Sequence, residues 1–211
     1  DEGWPERIVT RDEQILAAPV RLTASAGGAP VAWSGGRFAF NRRTPGVVEF
    51  ASRSKSPGLQ LDVRGRMEYD GAVIYTVTVS PAGVRTLDEL CLSIPIRETN
   101  ARLYHVCRDA IRQTNEADYV PAGTGTVWGS GRVKSRSVLG TFVPYVWLGD
   151  YDRGVCWMAD NDRGWAVPDD KDCVEFERRG GVLTARVHFI RTETALAAPW
   201  RTEFILMAGP A

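Results

Sequence analysis

Residues 139–167 decide the fold, and they read LGTFVPYVWLGDYDRGVCWMADNDRGWAV. The stretch contains a short repeat, because Asp150-Tyr151-Asp152-Arg153-Gly154 returns ten residues later as Asp160-Asn161-Asp162-Arg163-Gly164. In each unit the Asp and Asn side chains can bond the local backbone, and Gly accepts a positive φ, which is typical of a turn between strands. The repeat therefore predicts a meander of three strands.

The strands between these turns, 142–148 and 155–159, are apolar on both faces. A sheet with one face in water alternates apolar and polar residues instead. We therefore expect the second face, from Phe142 to Ala159, to be covered by an adjacent catalytic domain, by a second subunit or by a loop of this chain. Trp147 and Trp157 are expected in the core.

Strand signals continue on both sides of this stretch. Asp70-Gly71 predicts a hairpin turn before an alternating β-branched strand that ends near Ser80. Further strands are predicted at Leu90–Ile96, Val182–Ile190 and Thr202–Ala208, and residues 8–67 consist of short apolar stretches cut by Gly and Pro. The pattern predicts an all-β chain that forms one large antiparallel β-sandwich over residues 1–211, with at most one short helix.

Two segments depart from the strand pattern. Apolar residues recur at three- and four-residue spacing in Ala101–Arg112, which favours a short helix. The polar, glycine-rich stretch Thr114–Arg136 is predicted to be a long loop, and loops of that length are usually functional or disordered.

Composition limits the partners of the chain. Lys plus Arg and Asp plus Glu both count 26 in 211 residues, so no global charge attracts nucleic acid or an anionic membrane. No apolar stretch approaches the roughly 20 residues that span a bilayer. The chain opens Asp1-Glu2-Gly3-Trp4 without a methionine, which suggests a processed terminus and favours a secreted or periplasmic protein.

The four cysteines show no CxxC pair, and the two histidines are not spaced from them as zinc ligands would be. No metal site and no cofactor are predicted. Cys91, Cys107, Cys156 and Cys173 can form up to two disulfides or remain as small buried thiols, and the sequence leaves both possibilities open.

No catalytic residue is predicted, because the chain has no recognisable nucleophile, metal or nucleotide motif. Two carboxyl groups about 5 to 9 Å apart would suit a glycosidase, but a strand of five residues separates Asp152 from Asp160 by roughly 16 Å. Sugars stack on aromatic rings, and Trp128, in the glycine-rich segment, and Trp165, after a turn, are the tryptophans expected to be exposed. The predicted carbohydrate-binding residues are Trp128, Trp165, Asp160 and Asp162.

Several segments of the sequence resemble those of a known protein family. The run Met67–Gly71, the strand Leu90–Ile96, the pair Tyr104-His105 and, above all, residues 146–165 are similar to the N-terminal β-sandwich region of bacterial proteins related to glycoside hydrolase family 123. The likeness covers residues 65–208. It implies a supersandwich that precedes a (β/α)₈ barrel, in which an adjacent Asp-Glu pair acts with the acetamido group of N-acetylgalactosaminides.

The resemblance implies that this chain is the N-terminal segment of a longer protein, since it contains no barrel pattern of its own. The leading hypothesis is a non-catalytic accessory domain that supports or flanks a glycan site. The alternatives are an autonomous carbohydrate-binding module, a structural or self-assembling subunit, and a hydrolase complete in 211 residues.

Overall fold

A computed structural model describes residues 2–107, 115–132 and 139–209 of the chain. Its strands, in chain order, are β1 (Val9–Thr10), β2 (Glu13–Gln14), β3 (Arg21–Ala26), β4 (Ala29–Pro30), β5 (Ser34–Arg43), β6 (Val47–Ser56), β7 (Leu59–Glu68), β8 (Ala72–Pro81), β9 (Arg85–Leu87), β10 (Glu89–Arg97), β11 (Leu103–Cys107), β12 (Asn115–Tyr119), β13 (Gly125–Gly129), β14 (Tyr145–Gly149), β15 (Gly154–Met158), β16 (Val174–Arg179), β17 (Val182–Ile190), β18 (Thr194–Leu196) and β19 (Trp200–Gly209). The described residues contain no α-helix, only short 3₁₀ turns such as Glu98–Asn100. The predicted all-β class is confirmed.

Two antiparallel sheets form the layers of the sandwich. The larger sheet has nine strands in the order β12-β11-β14-β15-β19-β8-β7-β6-β5, and the smaller has six in the order β13-β16-β17-β10-β3-β4. Two short pairs, β1-β2 and β9-β18, lie outside them. No helix in the described part of the chain is long and apolar enough to cross a membrane.

The core lies between the two sheets and forms one continuous hydrophobic cluster. Strand β10 shows why the core forms there. Leu92, Ile94 and Ile96 are buried and face the larger sheet, and they alternate with less buried residues that face away from it. Aromatic rings from the two sheets are in contact: the ring centroid of Phe189 in the smaller sheet lies 5.9 Å from that of Phe204 in the larger one. Such alternation is what buries one face of each sheet.

The predicted hairpin at Asp70-Gly71 is present between β7 and β8. Gly71 has a φ of +84°, and the Asp70 carboxylate accepts a hydrogen bond from the amide of Ala72 at 3.0 Å. The strand predicted at Val182–Ile190 is β17, and Thr202–Ala208 lies within β19.

The helix predicted over Ala101–Arg112 is wrong for the residues that the structure describes. Residues 103–107 form β11, which pairs with both β12 and β14, and 108–112 lie outside the described residues. Apolar residues occur on both faces of β11, since Tyr104 and Val106 point into the core while Leu103 and Cys107 are half-buried on the other side. A strand that is apolar on both faces can imitate helical spacing.

The long loop predicted over Thr114–Arg136 is also wrong where it can be checked. It contains β12 and β13, while residues 114 and 133–136 lie outside the described residues. Strand β12 is a sheet edge with exposed side chains at most positions, so it pairs with β11 through its backbone and lacks an apolar alternation. No periodic signal therefore marks it in the sequence.

The predicted meander is correct for its first turn only. Strands β14 and β15 form a hairpin around Asp150–Arg153, but after the second turn the chain leaves this sheet and next forms β16 in the other one. The partner of β15 on its other side is β19. All four cysteines are free thiols, which decides the disulfide question left open by the sequence.

Candidate functional site

A row of aromatic residues crosses five adjacent strands of the nine-stranded sheet. The direct cross-strand partners run Phe40 to Phe50, Phe50 to Gly65, Gly65 to Tyr75, and Tyr75 to Phe204. Residues that face one another directly lie on the same face of a sheet. The row, which we call the aromatic row, therefore follows the core side of the sheet out to its edge.

Exposure increases along the aromatic row towards the sheet edge. Phe204 and Tyr75 are buried, Phe50 is half-buried, and Phe40 is 49% exposed. Phe38, two residues before Phe40, is also exposed, and its ring centroid lies 4.9 Å from that of Phe40. At this edge the row is not covered by the six-stranded sheet, because every residue of β5 is exposed.

A groove of about 570 Å³ opens above the exposed end of the row. Its walls include the three phenylalanines, with Trp4 and Tyr75 at its inner end and Met67 on β7. The Trp4 and Tyr75 rings lie 5.2 Å apart. Arg43 places its guanidinium 4.5 Å from the centre of the Phe40 ring, in a cation–π contact.

Gly65 allows the Phe50 ring to lie flat against the sheet. A Cβ at Gly65 would come within 2.0 Å of the Phe50 ring, so that ring lies directly over the glycine. A larger residue on β7 would push the Phe50 ring away from the sheet. The glycine thus determines the depth of the groove floor.

A second groove, of about 740 Å³, lies beside the Asp160–Gly164 turn. Asp160 and Arg163 line it, together with Trp200, Arg201 and Glu203. Asp160 and Asp162 are both exposed, as binding residues must be, but Asp162 is not part of the wall. The structure therefore brings only one of the two predicted aspartates to this groove.

Trp165 is half-buried, and its ring is already in contact with the core. Its centroid lies 4.7 Å from that of Phe189 and 5.4 Å from that of Phe142, and its indole N–H donates to Thr202 at 3.0 Å. It does not line the second groove. These contacts leave little of the ring available for a sugar.

Trp128 was expected to be exposed, and this is wrong, because only 1% of it is exposed. Its ring stacks on Phe176 at 4.6 Å and lies 5.8 Å from Tyr104 of the opposite sheet. The indole N–H donates to Glu116 at 3.1 Å, and the Tyr104 hydroxyl donates to the same carboxylate. A buried Trp needs such an acceptor for its N–H, which Glu116 supplies from β12.

The two turns of the repeat differ in structure. The Asp150 carboxylate accepts hydrogen bonds from the amides of Asp152 at 2.7 Å and Arg153 at 3.0 Å. Burial acts to raise the pKa of Asp150, but these backbone bonds, together with the Asn100 side chain and the Arg153 charge, outweigh it and hold the pKa below its usual range. In the second turn the acceptor is Asn161 instead, whose side-chain oxygen accepts a hydrogen bond from the amide of Arg163 at 3.0 Å. Both turns use their acidic or amide side chains to hold the backbone.

The outer face of the sheet, around Phe142–Ala159, carries two in-register apolar rows. The residues of these rows are half-buried, with Cys156 buried: His105, Trp147, Cys156 and Met207 in one row, and Cys107, Tyr145, Met158, Ile205 and Ile74 in the other. Trp147, expected in the core, lies here instead. A Cβ at Gly149 or Gly154 would come within 2.4 or 2.6 Å of its ring, so the indole covers both glycines that flank the first turn.

One group among the described residues could hold a metal ion, formed by Glu89, Cys91 and His188 on the outer face of the six-stranded sheet. Burial acts to lower the pKa of His188, but contacts with Cys91, Glu175 and Glu89 outweigh it and raise the pKa to about 10. Glu175 shows the reverse balance: burial opposes ionisation, while His188 and Arg191 hold its pKa at about 2.

Sequence reasoning missed the aromatic row. Phe38 and Phe40 occupy alternate positions of a strand, which places both on one face, and this was the available signal. Which rings align with them across β6, β7 and β8 depends on the strand register, and the sequence does not contain the register.

The fold defines an all-β protein with two packed antiparallel sheets. The chain belongs to the family described as glycoside hydrolase 123, third domain, which matches residues 3–162. This confirms the family that residues 146–165 suggested. The position of the domain within a longer protein stays a prediction.

The solved structures to which this chain is similar share little sequence with it. The Slr1438 protein from Synechocystis sp. PCC 6803 has 4% identity and a TM-score of 0.55, over 98% of this chain and 88% of that one. A putative mutarotase, YeaD, from Salmonella typhimurium has 9% identity and a TM-score of 0.49, over 97% and 78%. Heparan sulfate lyase HepC from Pedobacter heparinus has 8% identity and a TM-score of 0.44, over 96% of this chain and 24% of its own length. No curated protein matches the sequence.

Proposed function

We propose that this chain is a non-catalytic accessory domain of a glycoside hydrolase-like protein, and that it supports or flanks a site where a glycan binds. The observation that carries the proposal is the aromatic row, which ends in an open groove on a domain of a glycoside hydrolase family. Aromatic rings offer the apolar C–H faces of a sugar a surface on which to stack.

The groove beside the aromatic row suits a glycan better than the residues predicted from the sequence. The Phe38 and Phe40 rings are open to solvent, whereas Trp128 is buried and Trp165 is engaged with Phe189. Arg7, which lines the groove, adds a charged donor for sugar hydroxyl groups. Asp160 and Asp162 remain candidates for a separate contact at the second groove.

The outer face around Phe142–Ala159 supports the accessory role. Its two apolar rows form a surface of the kind that a neighbouring domain covers. The family is described as a third domain, so its proteins have other domains available for this contact. We assign the face to an adjacent catalytic domain, which would border the aromatic groove at Met207. A secreted or periplasmic location is part of the same proposal.

Isothermal titration calorimetry tests glycan binding. The chain is titrated with oligosaccharides that contain N-acetylgalactosamine, galactose or glucose. We expect saturable binding to at least one of them. Phe40→Ala should weaken it about tenfold, equivalent to about 1.4 kcal/mol, because one stacking ring is lost.

The matched control is Tyr151→Ala, which removes another exposed ring, 71% accessible, on the Asp150–Arg153 turn. It should leave the affinity unchanged. The groove assignment fails if Phe40→Ala binds like the wild type, or if Asp160→Asn alone abolishes binding. A stable dimer in sedimentation experiments would assign the outer face to a second subunit instead.

A further inference from the structure

Three potential metal ligands meet on the outer face of the six-stranded sheet. Cys91 of β10 and His188 of β17 are direct cross-strand partners, and Glu89 lies two residues before Cys91 on the same strand. The register between β10 and β17 shifts at Leu90/Cys91, which marks a β-bulge. Bulges reorient side chains and are frequent beside functional sites.

The three ligand atoms are close enough to share one ion. Each of the carboxylate, thiol and imidazole atoms lies within 4.8 Å of the others, and Glu89 Oε1 is 3.2 Å from His188 Nδ1. Tetrahedral zinc at about 2.0–2.3 Å from each ligand would hold such atoms roughly 3.3–3.8 Å from one another, about 1 Å closer than the widest separation here. Only small side-chain adjustments separate the two geometries.

The histidine has a buried nitrogen directed into this group without a hydrogen bond. His188 is 1% exposed, and its Nδ1 has no hydrogen-bond partner, since the nearby Glu89 oxygen is at ion-pair distance but not placed to accept from it. A buried polar atom without a hydrogen bond is costly, and an ion at this position would satisfy it.

The other ring nitrogen is held as it is in many metal sites. His188 Nε2 lies 3.2 Å from Glu175 Oε1, and Arg191 in turn holds Glu175 at 3.0 Å. A carboxylate on the far nitrogen fixes the ring orientation of a metal-bound histidine and strengthens it as a ligand. Glu175 would act as a positioning residue, not as a ligand.

The charges around the group also favour a cation. Three carboxylates and two guanidinium groups surround it, in contacts between Glu89, Glu175, Glu177, Arg186 and Arg191. Together with the His188 imidazolium they sum to zero. Binding that displaces the His188 and Cys91 protons into solvent would leave two negative charges, which a divalent ion neutralises, as a buried site requires. Arg186 also contacts Glu89 at 3.2 Å, so this carboxylate would be shared between the guanidinium and the ion.

We propose that Glu89, Cys91 and His188 form a binding site for a divalent cation of the zinc type. The combination of thiolate, imidazole and carboxylate selects Zn²⁺ over Mg²⁺ or Ca²⁺, which take oxygen ligands. Glu89, with 35% of its side chain exposed, forms the entrance. The site would join the two central strands of the sheet and keep one position for water.

Cobalt titration of the chelator-treated chain tests the site, because Co²⁺ bound to a thiolate gives a charge-transfer band in the near ultraviolet. We expect the band at one equivalent, and its loss when Zn²⁺ is added. Cys91→Ser should abolish the band. Glu175→Gln should keep it but weaken Zn²⁺ binding about 10–100-fold, as loss of an outer partner does.

Cys156→Ser is the matched control, because it removes another buried thiol on the other sheet and should leave the band intact. Glu89→Gln changes a half-exposed position and covers the case in which Cys91→Ser does not fold. It should weaken Zn²⁺ binding in a chain with an unchanged circular dichroism spectrum. The absence of a thiolate band in the folded wild type, or its survival in Cys91→Ser, would overturn the proposal.

Discussion

The two ends of the sandwich place similar aromatic clusters in opposite environments. At one end, Trp128, Tyr104 and Phe176 pack together between the two sheets and are buried. At the other, the Phe38 and Phe40 rings meet edge to face with their centroids 4.9 Å apart, but both are exposed to solvent. The nine-stranded sheet is wider than the six-stranded one, and its β5 edge is exposed along its whole length.

This difference shows that sheet overlap, not local sequence, determines whether a ring is available to a ligand. Trp128 lies among glycines, as an exposed binding residue commonly does, yet the opposite sheet covers it. Phe40 lies in a regular strand, as a core residue commonly does, yet nothing in the described part of the chain buries it fully. The covered cluster should contribute to stability and the open cluster to binding.

The largest expected effect contrasts the two clusters directly. Trp128→Ala should lower the free energy of unfolding by about 3–5 kcal/mol, because it leaves a large cavity and removes the donor to Glu116. Phe40→Ala should change it by less than about 0.5 kcal/mol, as exposed positions usually do. Urea unfolding of both variants measures the difference. Equal losses would contradict the division into a covered and an open end.

The second prediction concerns Gly65 and Phe50, at the open end of the sandwich, and its expected effect is smaller. Gly65→Ala should cost about 1–3 kcal/mol, because its Cβ would overlap the Phe50 ring. In a Phe50→Ala background the same change should cost little, since the ring is gone. Urea unfolding of the two single variants and the double variant gives the coupling energy. Additive losses would show that the Phe50 ring does not lie over Gly65.

The smallest expected effect concerns the Asp150 turn and acid. The Asp150 pKa is lowered in the folded chain, so its stabilising contribution is present above the unfolded pKa, about 3.9, and is lost as pH falls through the lower folded value. Asp150→Asn should therefore flatten the loss of stability as the pH falls below about 4.

Unfolding midpoints measured across that pH range provide the check. A wild-type acid slope in Asp150→Asn would show that the two backbone hydrogen bonds do not hold the carboxylate charged.

The strands were predictable where one face is buried and the other is not. The Asp70-Gly71 hairpin and the strand Val182–Ile190 follow from turn chemistry and alternation alone. The errors fall where that contrast disappears: β11 is apolar on both faces and imitates a helix, while β12 is exposed at most positions and resembles a loop. Local periodicity cannot identify a strand in either case.

The candidate sites were predictable to a smaller degree. The composition suggested an aromatic surface, and Asp160 does line a groove, but Trp128, which was predicted to be exposed, is buried. Cys91 and His188 lie far apart in the chain, and only the pairing of β10 with β17 places them opposite each other. No spacing rule for metal ligands applies to such a pair.

The sequence by itself determined the all-β class, the turns of the Asp-Arg-Gly repeat and the family, because these depend on interactions between neighbouring residues or on recognisable local patterns. Tertiary structure decided which rings are open, which turn leads to the other sheet and which side chains meet across strands. Those features depend on strand order, register and the unequal widths of the two sheets. They arise from long-range backbone pairing, which no single segment of the chain encodes.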